Sequence, residues 1–538
     1  MNPNIILILC DDLGYGDVSA LNPYSKIKTK NIDQIVESGI SFNDTHTSSA
    51  VCTPSRYSLL TGRYNFRSAL KSGVNWGYSQ PLIENERLTL AQMLKNSGYS
   101  TTMIGKWHLG LDWKTKSGKY VSQGGVINEK DIDPNIDFSS PVLGGPIQNG
   151  FEYFFGIPAS LDMAPYVYLE NDIATSIPTE SNFQNFSANI DGLTIKQHDN
   201  KNIKGRPGPV DMMMKPDIVL KDITKRAVEI IDRDFNKNSP SFLYFSLTAP
   251  HTPVSPSKDF IGKSGTKDQY LDFVLEVDDV VGQLLSAVKR TSNYDNTLII
   301  FTSDNGPESF MKLRQKEIEH YSSAQFRGCK RDNWEGGHRV PFLVQWPNEI
   351  TPKSESNRMI SLVDIFATIS TITKNNYEDS TAEDSYDFSN VLLSKATPNF
   401  EREFLIHHSA SGFFGIRNHE WKLLIHEGSG SEDNNRSIYS GELSSNQNSD
   451  DKQNYDHKKV ISSKGPIQLY NILNDEHEDN NLYLEHPDIV QELSTKFLEI
   501  IRNGRSTPGI IQSNFNEDNS WSQVIKSIDI LSKVGVKV

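Results

Sequence analysis

Four short apolar segments constrain the fold of this chain most strongly, because they have the length and composition of fully buried strands. They are NIILILC (4–10), SFLYFSLT (241–248), TLIIFTS (297–303) and PFLVQW (341–346). Short continuous apolar runs are typical of strands that helices cover on both faces. Between two of them, the segment 269–290 places its apolar residues on one helical stripe. This alternation predicts an α/β fold with a large, mostly parallel central sheet and helices on both faces.

Polar residues follow directly after three of these segments. Asp11 and Asp12 follow the first, His251 follows the second, and Asp304 and Asn305 follow the third. In open α/β sheets the ligand site lies beyond the carboxyl ends of the strands, so we expect these residues to converge. Apart from His251 they are all oxygen donors, which suit a hard cation such as Ca²⁺ or Mg²⁺ better than zinc.

The composition changes near residue 400. The segments 413–427 and 467–482 have the pattern of strands of a smaller sheet, and 486–504 has the pattern of a helix that stops at its last glycine. The polar stretch 428–460 is predicted to be an exposed loop. We therefore predict an α/β domain, a smaller C-terminal α+β subdomain with an antiparallel sheet, and a terminal tail, at 1–400, 401–510 and 511–538.

Bulk properties exclude several classes of protein. The net charge of −14 over 538 residues argues against a nucleic-acid partner, although a local cationic pocket could still bind an anionic substrate. Cys10, Cys52 and Cys329 are an odd number, so we expect no disulfide framework. We also expect no membrane span and no signal peptide within this sequence. We predict a periplasmic or secreted protein whose leader has been removed, and a cytoplasmic location remains open.

Cys52 lies among hydroxyl residues, a proline and an arginine, and this setting carries a family resemblance. CTPSR followed by LLTGR resembles the signature of the type I sulfatases, within the alkaline phosphatase superfamily. LYNILNDEHEDNNL resembles the C-terminal signature of that family, so the similarity spans nearly the whole chain. Further matches run in the family's order: CDDLGYGD (10–17), GKWHLG (105–110), APHTP (249–253), SDNG (303–306) and KRDNWEGGHRVP (330–341).

The resemblance implies that Cys52 is a precursor. A formylglycine-generating enzyme would oxidise it to formylglycine, whose hydrated form is a gem-diol. One hydroxyl would attack sulfur to give a covalent sulfate ester, and the other would lose its proton as sulfate leaves. The resemblance also implies Ca²⁺, with Mg²⁺ second, held by the residue at 52 together with Asp11, Asp12, Asp304 and Asn305.

Five further residues acquire roles by resemblance. Arg56, Lys106 and Lys330 would stabilise the negative charge of the sulfate and its transition state. His251 would protonate the leaving oxygen, and His108 would help to deprotonate the second diol hydroxyl. The two histidine assignments could be exchanged.

Substrate recognition is predicted from weaker signals. The aromatic-rich segment 151–172 carries Asp162 and Tyr166, which would suit sugar hydroxyls and stacking, although a packed loop explains the segment equally well. Trp113 and His338 are further candidates. The segment looks most like those of bacterial sulfatases acting on sulfated carbohydrates, among which galactose-type 6-sulfates are frequent targets.

We therefore predict an enzyme that hydrolyses an O-sulfate ester on a saccharide of a sulfated polysaccharide or glycosaminoglycan-like glycan. One alternative is a phosphatase or phosphodiesterase of the same superfamily, which would generally use Ser or Thr and histidine-rich zinc sites. The other is a non-catalytic glycan-binding protein on the same scaffold.

Overall fold

The computed structural model describes residues 2–124, 135–178, 208–393, 401–431, 465–515 and 520–537. Its strands in chain order are β1 (Asn4–Asp11), β2 (Ile40–Phe42), β3 (Thr45–His46), β4 (Ser100–Lys106), β5 (Tyr153–Ile157), β6 (Leu169–Glu170), β7 (Ile173–Ala174), β8 (Ser241–Pro250), β9 (Thr297–Ser303), β10 (Phe342–Gln345), β11 (Ser354–Ser356), β12 (Ile360–Ser361), β13 (Leu405–His408), β14 (Phe414–Arg417), β15 (Trp421–Leu424) and β16 (Gln468–Asn471).

The α-helices in chain order are α1 (Lys30–Glu37), α2 (Cys52–Thr61), α3 (Leu90–Asn96), α4 (Pro216–Asp234), α5 (Gln269–Lys289), α6 (Met311–Ile318), α7 (Glu335–His338), α8 (Ile365–Ile372), α9 (Ser389–Leu392), α10 (Pro487–Arg502) and α11 (Ser522–Lys533).

Ten strands of the described chain form one large sheet, in the order β11-β2-β10-β9-β1-β8-β4-β5-β6-β7. Its five central strands, from β9 to β5, are all parallel to one another. The fourth predicted strand, β10, pairs antiparallel with β9, and the edge strands β6 and β7 are antiparallel as well. The prediction of a large, mostly parallel sheet is confirmed.

Side chains of β1 show why helices cover both faces. Ile5, Leu7 and Leu9 point into an apolar core that includes residues of α2, α3 and α8. The alternate residues, Ile6 and Ile8, point into a second core built with α1, α4 and α5. A strand with two apolar faces has to be covered twice, as the sequence predicts.

The topology places the candidate residues at one edge of the sheet. Asp11 is the last residue of β1 and Lys106 is the last residue of β4. His251 comes directly after β8, and Asp304 comes directly after β9. Since these four strands are parallel neighbours, their carboxyl ends meet.

The C-terminal part forms its own antiparallel sheet, in the order β13-β14-β15-β16. Helices α10 and α11 pack on it through an apolar core that also takes in Tyr64 and Phe66 from the main part of the chain. The predicted loop at 428–460 lies, from residue 432 onward, outside the described residues. The three-way division of the chain stays a prediction.

Among the described residues, none of the helices combines the length and the apolar character that crossing a bilayer would need.

Candidate active site

Cys52 is the first residue of α2, and its side chain is only 2% exposed. Pro54 stands in the first turn, where a missing backbone N–H costs no helical hydrogen bond. The helix ends at Gly62, whose φ of 66° suits a residue without a side chain. The N-terminus of a helix carries partial positive charge, so the thiol lies where an anionic group is favoured.

Thr53 fixes the start of α2 to two neighbouring segments. Its hydroxyl donates to the backbone carbonyl of His108 at 3.0 Å and accepts from the backbone N–H of Asn75 at 3.1 Å. Asn75 is therefore held beside both the cysteine-bearing helix and a candidate catalytic histidine.

Three carboxylates and one amide converge at the edge of the sheet, all of them buried. The backbone N–H of Asp12 donates to Asp304 Oδ1 at 3.2 Å, and Asn305 Nδ2 donates to Asp12 Oδ1 at 2.7 Å. Candidate ligand atoms of Asp11, Asp12, Cys52 and His251 all lie within 4.8 Å of one another. Asp12 has a φ of 65°, a strained conformation for a residue with a side chain.

This group fits a hard cation. The three carboxylates and the amide offer oxygen ligands, which hard cations such as Ca²⁺ prefer, whereas Cys52 and His251 offer sulfur and nitrogen. Asn305 Oδ1 is buried and has no hydrogen-bond partner within the described part of the chain, and a buried oxygen of this kind is costly unless something binds it. Burial raises the pKa of Asp304, with Arg56 opposing and Asp11 and Asp12 adding to the rise. A bound cation would relieve this crowding.

Each carboxylate also has a cationic partner. Lys106 Nζ lies 2.7 Å from Asp11 Oδ2, and Lys330 Nζ lies 2.7 Å from Asp12 Oδ2. Burial opposes ionisation of Asp11, yet Lys106 and the other nearby cations hold its pKa well below the usual value. Burial opposes the charged form of Lys330 as well, but Asp12 raises its pKa.

Arg56 connects several parts of the site through hydrogen bonds. Its Nη2 lies 2.6 Å from Asp304 Oδ2, and its Nη1 bonds Ser246 Oγ and the carbonyl of Lys106. With its side chain fully buried, Arg56 links Asp304 to the end of β4 and to the middle of β8.

His108 is set up to accept a proton. Its Nε2 lies 2.8 Å from the carbonyl oxygen of Asn75, and since a carbonyl only accepts, Nε2 carries the hydrogen. Nδ1 then has a free lone pair, and no described residue bonds it. Burial, Lys106 and Arg56 lower the pKa of His108 well below its usual value, so the ring is neutral.

His251 is set up to donate a proton. Its Nδ1 donates to the carbonyl of Thr252 at 2.6 Å and lies 3.2 Å from Ser160 Oγ. Its Nε2 faces Asp12 Oδ2 at 3.6 Å. Burial opposes the charged form, but Asp12 and Asp11 raise the pKa of His251 to about 9. The two histidines thus prefer opposite protonation states.

The four candidates for substrate binding are less well placed. Trp113 is 1% exposed and donates Nε1–H to the carbonyl of Gly77 at 2.9 Å. Tyr166 is 1% exposed and belongs to the core shared with α4 and α5. His338 is fully buried, with its Nδ1 3.0 Å from His46 Nδ1. These three side chains are as enclosed as those of Cys52 and His108, and their role in substrate binding stays a prediction. Asp162 is half-buried.

Sequence inspection missed three residues that shape the site: Asn75, Ser160 and Ser246. Ser246 had a detectable signal, since it is a polar residue inside an otherwise apolar strand. Asn75 and Ser160 lie in irregular segments with no periodicity, so only the folded chain shows that they bond the two histidines.

Comparison with known proteins agrees with this geometry. Residues 3–375 match the sulfatase family. An N-acetylgalactosamine-6-O-sulfatase of Bacteroides thetaiotaomicron is 30% identical over 524 residues, which is 93% of each chain. Human steryl-sulfatase is 30% identical over 448 residues, covering 78% of this chain and 74% of that protein.

A solved structure from Bacteroides thetaiotaomicron, described in connection with the metabolism of multiple glycosaminoglycans, superposes with a TM-score of 0.75 at 28% identity. It covers 93% of this chain and 99% of that one. The match extends beyond the family region into the C-terminal sheet. This chain therefore belongs to the sulfatase family and is a sulfuric ester hydrolase.

Proposed function

We propose that this protein removes an O-sulfate group from a saccharide, with Cys52 converted to formylglycine and Ca²⁺ as the metal. The observation that carries the proposal is the convergence of Cys52, Asp11, Asp12 and His251 in one buried site, where their candidate ligand atoms all lie within 4.8 Å of one another. The similarity to an N-acetylgalactosamine-6-O-sulfatase over nearly the whole chain supports a sugar substrate.

The reaction begins at residue 52. In the hydrated aldehyde, one hydroxyl releases its proton to water, its oxygen attacks the sulfur, and the bond from sulfur to the sugar oxygen breaks. Lys106 and Lys330, held beside the site by Asp11 and Asp12, stabilise the negative charge that builds up. The product of this step is a sulfate ester on the enzyme and a departing sugar oxygen.

His251 supplies the proton for that oxygen. A sugar alkoxide is a poor leaving group, so a charged imidazolium nearby assists bond cleavage. Its Nδ1 is already committed to Thr252, so the proton comes from Nε2.

His108 completes the cycle. Its Nδ1 takes the proton of the remaining hydroxyl on the same carbon, the bond from that carbon to the sulfate oxygen breaks, and the aldehyde forms again. Water then adds to the aldehyde and restores the diol. One water is consumed for each sulfate released.

The metal would be held by Asp11, Asp12, Asp304 and Asn305 together with the residue at 52. When bound, Ca²⁺ offsets sulfate charge and lowers the pKa of the diol.

We also propose a maturation partner and a location. Conversion of Cys52 needs a formylglycine-generating enzyme. A periplasmic or secreted location, where sulfated polysaccharides are accessible, fits a saccharide substrate.

The decisive experiment is a panel of defined sulfated mono- and oligosaccharides, beginning with 6-sulfated galactose and N-acetylgalactosamine. Sulfate release is measured on protein whose residue 52 has been identified by peptide mass spectrometry. We expect turnover to scale with the aldehyde fraction at residue 52, while Cys10, a buried core cysteine, stays a thiol. Full activity from uniformly unmodified protein would exclude the mechanism, and failure on every saccharide with turnover of aryl sulfates would exclude the substrate class.

A further inference from the structure

Thr53 differs in its hydrogen bonds from Thr61, the other threonine of α2. Its hydroxyl donates to the carbonyl of His108 at 3.0 Å and accepts from the N–H of Asn75 at 3.1 Å. The hydroxyl of Thr61 donates within its own helix, to the carbonyl of Tyr57 at 2.8 Å. Both threonines are fully buried. The hydroxyl of Thr53 therefore connects α2 to two other segments of the chain, whereas that of Thr61 bonds its own helix.

The hydrogen bonds around His108 form a closed loop. Thr53 bonds the carbonyl of His108, the ring Nε2–H of His108 donates to the carbonyl of Asn75 at 2.8 Å, and the N–H of Asn75 returns to Thr53. The N–H of His108 donates to the carbonyl of Pro158 at 3.1 Å. His108 is thus bonded at its ring and at both of its backbone polar groups. None of these bonds uses Nδ1, the atom that takes the proton in the proposed mechanism.

The backbone of His108 depends on contacts of this kind. Its φ of 59° lies in the left-handed region, which is uncommon for a residue with a side chain. Such a conformation persists where the surrounding structure holds it. Loss of the Thr53 hydroxyl would take one partner from the carbonyl of His108 and one from the N–H of Asn75, both in buried residues.

We propose that Thr53 is a positioning residue for the release of sulfate from the enzyme. Through Asn75 and the carbonyl of His108, its hydroxyl fixes the place and the tautomer of His108, and so the direction of Nδ1. The inference rests on the proposed role of His108 as the base. In the release step Nδ1 takes the hydroxyl proton, the bond from carbon to the sulfate oxygen breaks, and the aldehyde forms.

Thr53 directly follows Cys52, so one residue aligns the carbon that carries the sulfate ester with the base that acts on it. A misplacement of a reacting group by about 1 Å can cost about 100-fold in rate. Release of sulfate depends on this alignment, whereas transfer of sulfate to the enzyme does not use His108.

The test compares Thr53→Val, which keeps the shape of the side chain without its hydroxyl, with Thr53→Ser, which keeps the hydroxyl. The substrate is a sulfate ester that the wild-type protein hydrolyses, either a saccharide sulfate or para-nitrophenyl sulfate. Activity is normalised to the aldehyde fraction at residue 52, measured by peptide mass spectrometry. Thr61→Val is the matched control, since it removes a buried hydroxyl from the same helix, and it should behave as wild type.

Thr53→Val should lower kcat by about 10–100-fold and lower KM in proportion, because release then limits turnover. The ratio kcat/KM covers only the steps up to the sulfo-enzyme and should stay within about threefold of wild type. The desulfated product should appear in a burst equal to the amount of aldehyde-bearing enzyme. Thr53→Ser should recover most of the loss.

The same substitution in a His108→Ala background shows whether Thr53 acts through the histidine. If it does, Thr53→Val should cost less than about twofold there, because the group that it positions is already gone. An effect exerted directly on Cys52 or on the helix would persist in that background.

Two patterns would overturn the role of Thr53 in release. One is a fall in kcat/KM as large as the fall in kcat, and the other is an undiminished loss in the His108→Ala background. Wild-type kinetics for Thr53→Val would also exclude it, while leaving the proposed function intact. If His108→Ala itself keeps the kcat of wild type, the proposed base fails first and the role of Thr53 fails with it. Should Thr53→Val fail to fold, Thr53→Ala removes the same hydroxyl without adding a methyl group, and the same expectations apply.

Discussion

Two buried groups of charged residues invite comparison, because we propose only one of them as a reaction site. The catalytic cluster comprises Asp11, Asp12, Lys106, Asp304 and Lys330. The interface cluster comprises Asp44, His46, Glu335, Arg417 and Lys422, and it joins β3 and α7 to the C-terminal sheet. Both contain carboxylates, cations and shifted pKa values, so none of these features distinguishes them.

The charged groups of the interface cluster form hydrogen bonds and ion pairs with one another. Arg417 Nη1 lies 2.9 Å from Glu335 Oε2, and Lys422 Nζ lies 3.1 Å from Glu335 Oε1. His46 bonds Asp44 at 2.7 Å. Burial lowers the pKa of His46 to about 4, with Glu335 opposing, so its ring is neutral at physiological pH.

The catalytic cluster leaves polar atoms around it unbonded. Within the described residues, Asn305 Oδ1 and His108 Nδ1 are buried without hydrogen-bond partners; in the proposed mechanism the metal would bind the first and a diol hydroxyl would donate to the second. His407 shows that unbonded buried atoms alone do not identify a reaction site. Neither of its ring nitrogens is bonded within the described residues, but it is kept neutral by burial and packs 3.8 Å, between ring centroids, from His338. Unbonded atoms identify a site when they accompany a nucleophile and metal donors.

The largest effect should come from Cys52→Ala. Removing the precursor of the nucleophile should lower kcat by about 10⁴-fold or more, with little loss of stability because the side chain is small. Activity on a sugar sulfate and the midpoint of urea unfolding are the measurements. Cys10→Ala is the matched control and should keep its activity. Residual activity within tenfold of wild type would remove Cys52 from the mechanism.

The two histidine variants should differ in how their loss of activity depends on the substrate. His251→Ala should lose about 10²–10⁴-fold in kcat/KM on a sugar sulfate but much less on an aryl sulfate, because a phenolate leaves without a proton. His108→Ala should slow both substrates and let a covalent sulfo-enzyme accumulate, detectable by mass spectrometry. Equal losses for His251→Ala on both substrates would contradict its role as acid, and the reverse pattern would exchange the two roles.

Glu335→Gln tests the interface cluster. It removes one buried carboxylate partner from each of Arg417 and Lys422, which keep Asp44 and Glu478 respectively, so the free energy of unfolding should fall by at most about 3–5 kcal/mol. Chemical denaturation measures this loss, with Glu349→Gln, at an exposed position, as the control. Activity per folded molecule should stay near wild type. A large fall in kcat with unchanged stability would mean that the two clusters are not distinct in function.

The smallest effect concerns metal binding. Adding Ca²⁺ to metal-stripped protein at 100 times its Kd should stabilise the fold by about 2.7 kcal/mol, seen as a rise in Tm. Asp304→Asn should reduce the shift, whereas Glu335→Gln should keep it. Stoichiometric zinc in the purified protein, or activity unchanged after complete stripping, would contradict a calcium site.

The sequence predicts that the polar residues at the strand ends converge, and it gives less information about the contacts around them. Asp11 ends β1, and Asp12 and Asp304 directly follow β1 and β9; parallel strands bring their carboxyl ends together wherever the helices lie. Whether Tyr166 and His338 can contact a ligand depends on the direction of their side chains after packing. The sequence pattern does not encode that direction. The same limit hid Asn75, since its contacts join segments that are distant in sequence.

The enclosure of α2 has a consequence for the order of events in the cell. All ten residues of this helix are buried, with Cys52 at its start. A modifying enzyme cannot reach a thiol inside a closed protein, so the proposed oxidation has to happen on the nascent or unfolded chain. The proportion of catalytically competent molecules is then set by the relative rates of Cys52 oxidation and of folding during biosynthesis. Once the protein has folded, adding the oxidising enzyme should not raise its specific activity.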